Sequence, residues 1–85
     1  MSIKQHSGNK YHRRIYSVQS LNESTTVDVY SVLQAFNVTC PACQHAIKKL
    51  LCAGLRGKGD RMTDLKEAKD AVERAVVLQI QAENE

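Results

Sequence analysis

The sequence predicts an α+β fold in which a short N-terminal β-hairpin is followed by three α-helices, the last two forming an antiparallel pair. β-Branched and aromatic residues are concentrated before residue 30, in two short runs separated by a polar segment. From residue 28 onward, apolar residues recur with the period of a helix, and a segment with three glycines interrupts that period. The chain has 85 residues, so we assign residues 1–85 to a single domain with a modest core.

The hairpin is predicted over residues 10–29. Residues 11–18 are rich in Tyr, Ile and Val, and residues 25–29 are mostly β-branched. The polar residues 19–23 between these runs can form the turn. Residues 1–9 are mostly polar, so we expect them to form a flexible arm.

The first helix is predicted over residues 28–37. Asp28 can cap its N-terminus, and Asn37 can end it in the left-handed conformation. Its apolar residues fall at positions i, i+3, i+4 and i+7, which are Val29, Val32, Leu33 and Phe36.

The second helix is predicted over residues 41–53. Pro41 falls in its first turn, where the missing N–H costs no helical hydrogen bond, and Gly54 ends it. Helical spacing predicts a buried face made of Cys43, Ala46, Ile47, Leu50 and Leu51.

The third helix is predicted over residues 61–82, with Asp60 or Thr63 as its cap. Asp60 and Asp64 could hold Mg²⁺ beside the basic turn, but acidic residues in the first turn of a helix usually complement its dipole, and we expect that structural role here. The apolar positions with a helical period are Met62, Leu65, Ala68, Val72, Ala75, Val76 and Ile80. Near its end, apolar side chains occur on more than one face, and small domains with thin cores often associate. We therefore expect a homo-oligomer.

Charge is distributed unevenly along the chain. Residues 1–61 contain nine Lys and Arg residues and three acidic residues. Residues 62–85 contain three Lys and Arg residues and six acidic residues. This asymmetry favours an anionic ligand, or subunits that meet through opposite charge. Nucleic acid is a less favoured partner, because the net charge of +3 is low for that class and the last helix is acidic.

A candidate anion site combines the polar face of the second helix with the glycine-rich turn. His45, Lys48, Lys49 and Cys52 are spaced i, i+3, i+4 and i+7, so they share one face. Glycines let backbone N–H groups approach a phosphate, and Lys and Arg supply positive charge. The predicted ligand-binding residues are His45, Lys48, Lys49, Arg56, Gly57, Lys58 and Arg61.

The segment from Cys40 to Cys43 has the CxxC spacing found in thioredoxin-like proteins, and it resembles the metal loop of heavy-metal-associated domains. The first class needs a βαβ setting and a later cis-proline, and the second needs two strands after the helix; the predicted elements supply neither. We therefore expect Cys40 and Cys43 to be structural, and we expect no resident metal and no cofactor. If a soft metal bound, these two thiols would be its ligands.

The sequence offers no arrangement of residues that predicts catalysis. No paired carboxylates occur in an apolar setting and no nucleophile–base pattern is seen, so an enzyme is less favoured than a binding protein. The N-terminus has no signal-peptide pattern, and no apolar run is long enough to span a membrane. Three cysteines, an odd number, suit a reducing compartment, so the expected location is the cytoplasm and no membrane partner is expected.

Residues 45–75 resemble a pattern in small bacteriophage proteins of unknown function. The pattern is an Ile-Lys helix (Ile47-Lys48 here), an Ala-Gly turn with a basic residue (Ala53 to Gly57) and an Asp-Leu-x-x-Ala helix (Asp64 to Ala68). A related segment closes a phage nucleotide kinase that lacks a P-loop. The resemblance implies a phage origin, hence an infected host cell, and a nucleotide ligand.

Together, these patterns favour a phage-encoded binding protein for a nucleotide or another phosphorylated ligand. Sequestration of a nucleotide-derived host defence signal would suit so small a protein. The first alternative is a protein–protein interaction module that inhibits a host protein, and the second is a nucleotide-modifying enzyme.

Overall fold

The computed structural model describes residues 11–55 and 60–84, and it confirms the α+β fold. The elements in chain order are β1 (Arg13–Tyr16), β2 (Ser24–Val27), α1 (Val29–Ala35), α2 (Pro41–Leu51) and α3 (Asp60–Glu83). The predicted flexible arm, residues 1–9, lies outside the described residues. No helix in the described part of the chain is both long and apolar enough to cross a membrane.

The hairpin is a two-stranded antiparallel sheet. Its register places Arg13 opposite Val27 and Tyr16 opposite Ser24. Beyond the strands, the backbone N–H of Ser17 donates to the carbonyl of Glu23 at 2.8 Å and closes the turn. β1 ends before the run that predicted it does, because Val18 already lies in the bend that leads into the turn, and β2 ends at Val27 because Asp28 caps α1.

α1 has the predicted N-cap, Asp28, and the predicted left-handed residue, Asn37, directly follows its C-cap, Phe36. The Asp28 carboxylate accepts from the Ser31 backbone N–H at 2.8 Å, and the Ser31 hydroxyl accepts from the Asp28 N–H at 3.1 Å. These bonds form a capping box, and the hydrogen bond from the Ser31 amide is the main cause that lowers the pKa of Asp28. Asn37 has a φ of 59°, and the Val38 N–H donates to the Leu33 carbonyl at 2.9 Å.

α2 and α3 pack against each other as an antiparallel pair. Lys49 pairs with Asp64 and Glu67, whereas the later residue Gly54 also meets Asp64, so α3 runs back along α2. Ala46 and Ala68 are almost completely buried, as are Val29 and Leu33 of α1. Alanines let two helix backbones come close together, which suits this small core.

Asp64 is the only buried polar or charged residue in the described part of the chain, with 3% of its surface exposed. Its carboxylate accepts from the Gly54 backbone N–H at 3.2 Å and lies 3.6 Å from the Lys49 ammonium. The prediction of a structural role for Asp64 is therefore confirmed, and the structure adds a contact that helix position did not predict: this side chain joins α3 to the end of α2.

Two residues of the predicted buried face of α2 are exposed instead. Leu50 is 55% exposed and Leu51 is 58% exposed. Helical periodicity assigned five side chains to this face, but the seven-residue α1 and the small hairpin do not provide a layer wide enough to cover them.

The second half of α3 also has little to pack against. At 1.5 Å per residue, α3 is roughly 36 Å long and α2 only roughly 16 Å. Val72, Val76 and Ile80 are about half exposed, although their period predicted burial, and they lie on a different side of the helix from the α2-facing Asp64 and Ala68. This face is the largest departure from the predicted core.

Candidate ligand-binding site

The α2 side chains predicted to share one face do line one cavity. This cavity has a volume of about 160 Å³ and is lined by Tyr11, His45, Lys48, Lys49, Cys52, Leu55 and Asp64. Its α2 residues are spaced i, i+3, i+4 and i+7, so one helix brings a histidine, two lysines and a thiol to the same concave surface.

A larger cavity of about 450 Å³ lies in the groove between α1 and α2. It is lined by Tyr30, Leu33, Gln34, Asn37, Val38, Thr39, Pro41, Gln44, His45 and Lys48. Its volume falls within the range of small-molecule sites, and its lining combines apolar side chains with a few polar groups. His45 and Lys48 line both cavities, so they stand where the two meet.

Lys48 is the cationic group at this junction, and two aromatic rings hold it in place. Its Nζ lies 5.1 Å from the centroid of the Tyr11 ring and 5.9 Å from that of Tyr30. Tyr30 is 64% exposed, so its ring is available to a ligand. The groove therefore presents a positive charge beside an accessible aromatic ring.

Lys49 has a different environment from its neighbour. Its Nζ lies 2.7 Å from a carboxylate oxygen of Glu67 and 3.6 Å from one of Asp64, and only 22% of its side chain is exposed. Two carboxylates offset its charge, so Lys49 stabilises the α2–α3 pair more than it attracts an anion.

Arg61 lies in the first turn of α3 and reaches back to the end of α2, where its guanidinium donates to the Ala53 carbonyl at 3.4 Å. Gly54 has a φ of 81°, and a Cβ there would lie 3.3 Å from the Cβ of Arg61. Glycine thus allows both the backbone conformation and the close approach of α3. Arg61 is not among the residues lining either cavity, and Arg56, Gly57 and Lys58 lie outside the described residues.

The cysteines lie beside the groove. Cys40 is the N-cap of α2 and Cys43 lies in its first turn; both are free thiols and half-buried. The hydrogen bond from the Cys43 backbone N–H, followed by that from the Cys43 thiol, lowers the pKa of Cys40. The pKa of Cys43 is raised, first by its hydrogen bond to Cys40 and then by burial. Residues 11–55 and 60–84 contain no cluster of three or more His, Cys, Asp or Glu side chains that could hold a metal ion.

Sequence reasoning missed Tyr30 as a site residue. It follows the first residue of α1 and lies off the apolar stripe defined by Val29 and Leu33. An aromatic residue outside the buried face of a short helix was the available signal, but only the folded chain shows that it faces Lys48 on α2.

Comparisons with protein-family models, curated proteins and solved structures found no match for this chain.

Proposed function

We propose that this chain binds a nucleotide or another phosphorylated ligand in the groove between α1 and α2. The observation that carries the proposal is the position of Lys48, whose ammonium lies where the two cavities meet and beside the rings of Tyr11 and Tyr30. A positive charge beside aromatic rings suits a nucleotide, since a nucleotide carries a phosphate and a flat base.

One side of the groove can bind the phosphate of a nucleotide and the other can bind its base. Lys48 forms a charge-assisted hydrogen bond with the phosphate, and His45 offers a second donor on the same helix face. The base stacks on the exposed ring of Tyr30, an interaction that tolerates different bases because each has a π face. The amides of Gln34 and Asn37 lie on the same wall and can bond to the base edge.

The biological setting is proposed from the resemblance of residues 45–75 to small phage proteins. A phage-encoded protein of this size acts by stoichiometric binding, and the ligand that such binding would usefully remove is a nucleotide-derived host defence signal. Sequestration requires affinity and abundance, and it requires no catalytic group.

The second candidate function is a protein–protein interaction module that inhibits a host protein. Exposed apolar side chains outside α3, among them Leu21, Phe36 and Leu50, favour it, because such surfaces commonly contact another protein. The two candidates differ in where they place the functional surface: the groove beside Lys48 for the nucleotide, and these exposed apolar side chains for a protein.

Native mass spectrometry of protein purified from cells tests the proposal. We expect a fraction of the protein to carry an additional mass that matches a phosphorylated nucleoside, because a sequestering protein retains its ligand through purification. We also expect no stoichiometric zinc, since two thiols fall short of the four ligands of a structural zinc site. We expect no stoichiometric copper, since the two strands that follow the helix in heavy-metal-associated domains are replaced here by α3.

The matched control is the double variant Cys40→Ser with Cys43→Ser, which should carry the same additional mass as the wild type. Stoichiometric copper or zinc on the wild-type protein, lost in this double variant, would assign the CxxC segment a metal and contradict the structural role given to it.

A further inference from the structure

α3 carries a stripe of side chains whose apolar members remain exposed in the described part of the chain. Within that part, its two charged members have partners only on α3 itself: Lys69 pairs with Glu73 at 3.4 Å, and Glu83 accepts from the Gln79 amide at 3.0 Å. At 3.6 residues per turn, the members of this stripe lie within roughly 40° of one line along the helix. They are Met62, Leu65, Lys69, Val72, Val76, Ile80 and Glu83. Val72, Val76 and Ile80 at its centre are 48%, 52% and 51% exposed.

The buried residues of α3 define a different face. Asp64 and Ala68 face α2, and they lie roughly a third of a turn around the helix from the stripe. The stripe is therefore not a poorly packed edge of the α2–α3 contact. It is a second apolar face, which a soluble helix ordinarily covers with another protein surface.

The order of residues along the stripe is complementary to itself when reversed. If two copies of α3 run antiparallel with Val76 opposite its own copy, Val72 lies opposite Ile80, and Lys69 lies opposite Glu83. Each end of this overlap, which runs from Lys69 to Glu83, then joins a positive side chain to a negative one, and Met62 and Leu65 lie outside it. A parallel arrangement in register would instead place Lys69 against Lys69 and Glu83 against Glu83, and both contacts would be repulsive.

We propose that the stripe is the interface between two copies of this chain, paired antiparallel through α3 about Val76. The contact is isologous, as expected of a two-fold dimer, because the same patch serves on both subunits. The apolar centre supplies the driving force, and the charged ends select the antiparallel orientation. The groove beside Lys48 takes no part in this contact, so the proposal is independent of the nucleotide ligand.

Sedimentation velocity without added nucleotide tests the interface. Wild-type protein at tens of micromolar is expected to sediment as a dimer or as a larger assembly built from dimers. Val76→Lys places two positive charges at the two-fold axis and should leave only monomer over the same range. Gln81→Lys, which introduces the same residue on another face of α3, should sediment like the wild type.

A charge exchange tests the orientation. Lys69→Glu should weaken association by about tenfold, because two attractive contacts become repulsive. Adding Glu83→Lys to that variant should restore association, since the pairs are opposite in sign again. Circular dichroism of each variant checks that the helices remain folded.

A wild-type monomer at all concentrations, or a Val76→Lys variant that associates like the wild type, would overturn the interface. A double exchange that fails to restore what Lys69→Glu loses, with helicity intact, would overturn the antiparallel register.

Discussion

Replacing Lys48 by alanine is expected to weaken nucleotide binding by about tenfold to a hundredfold, while leaving the protein folded. A charge-assisted hydrogen bond to phosphate contributes roughly 1.5–3 kcal/mol, and a hundredfold loss corresponds to about 2.7 kcal/mol. The cost to stability is smaller, because the contacts that Lys48 makes with the rings of Tyr11 and Tyr30 are cation–π interactions of about 0.5–1 kcal/mol. Calorimetric titration at one fixed salt concentration measures the affinity.

The variant Lys49→Ala is the matched comparison for Lys48→Ala. Lys49→Ala removes the same charge one position along α2, but Lys49 is paired with Glu67 and Asp64, so its loss should lower thermal stability more than affinity. Lys66→Ala removes an exposed lysine from α3 and should change neither. If Lys49→Ala abolished binding and Lys48→Ala preserved it, the assignment of the anion site to Lys48 would be wrong.

Replacing Asp64 by alanine is expected to have the largest effect on stability of the changes considered. The change leaves the Gly54 N–H without its acceptor and removes one of the two carboxylates near Lys49. Glu67 remains at 2.7 Å from Lys49, so we expect a loss of about 2–3 kcal/mol rather than the 3–5 kcal/mol typical of a buried charge stripped of its partner. For a domain of this size, that is roughly 10–20 °C in Tm.

Urea or thermal unfolding measures the stability loss of Asp64→Ala, and two further variants serve as controls. Asp70→Ala removes an exposed carboxylate from the same helix and should change stability by less than about 0.5 kcal/mol. Asp64→Asn keeps an acceptor oxygen and should fall between the wild type and Asp64→Ala. Equal stabilities for Asp64→Ala and Asp70→Ala would show that the carboxylate does not join α2 to α3.

The features predicted correctly from the sequence are those set by local chemistry. Asp28 caps α1, Asn37 ends it with positive φ and Pro41 opens α2, because each depends on residues within a few positions. Helical spacing likewise sufficed to bring His45 and Lys48 to one cavity.

The features that sequence reasoning missed depend on which elements meet. Asp64 resembles any acid in a helix's first turn, and its partner Lys49 lies 15 residues earlier in the chain. Spacing alone could not separate Lys48 from Lys49, since their roles depend on which of them faces α3. Periodicity placed Leu50 on a buried face, but it carries no information on whether another element covers that face.

Calorimetric titration of wild-type protein with a matched ligand panel tests whether the groove binds a phosphorylated nucleoside. The panel contains mononucleotides, cyclic dinucleotides, the corresponding unphosphorylated nucleosides and inorganic phosphate. We expect saturable binding of at least one nucleotide with an affinity that falls as salt increases, and much weaker binding of nucleoside or phosphate alone, because Lys48 and Tyr30 each contribute to one half of the ligand. If no phosphorylated ligand binds, or if a nucleoside binds as tightly as its nucleotide, the groove is not a nucleotide site and the protein–protein interaction module becomes the favoured function.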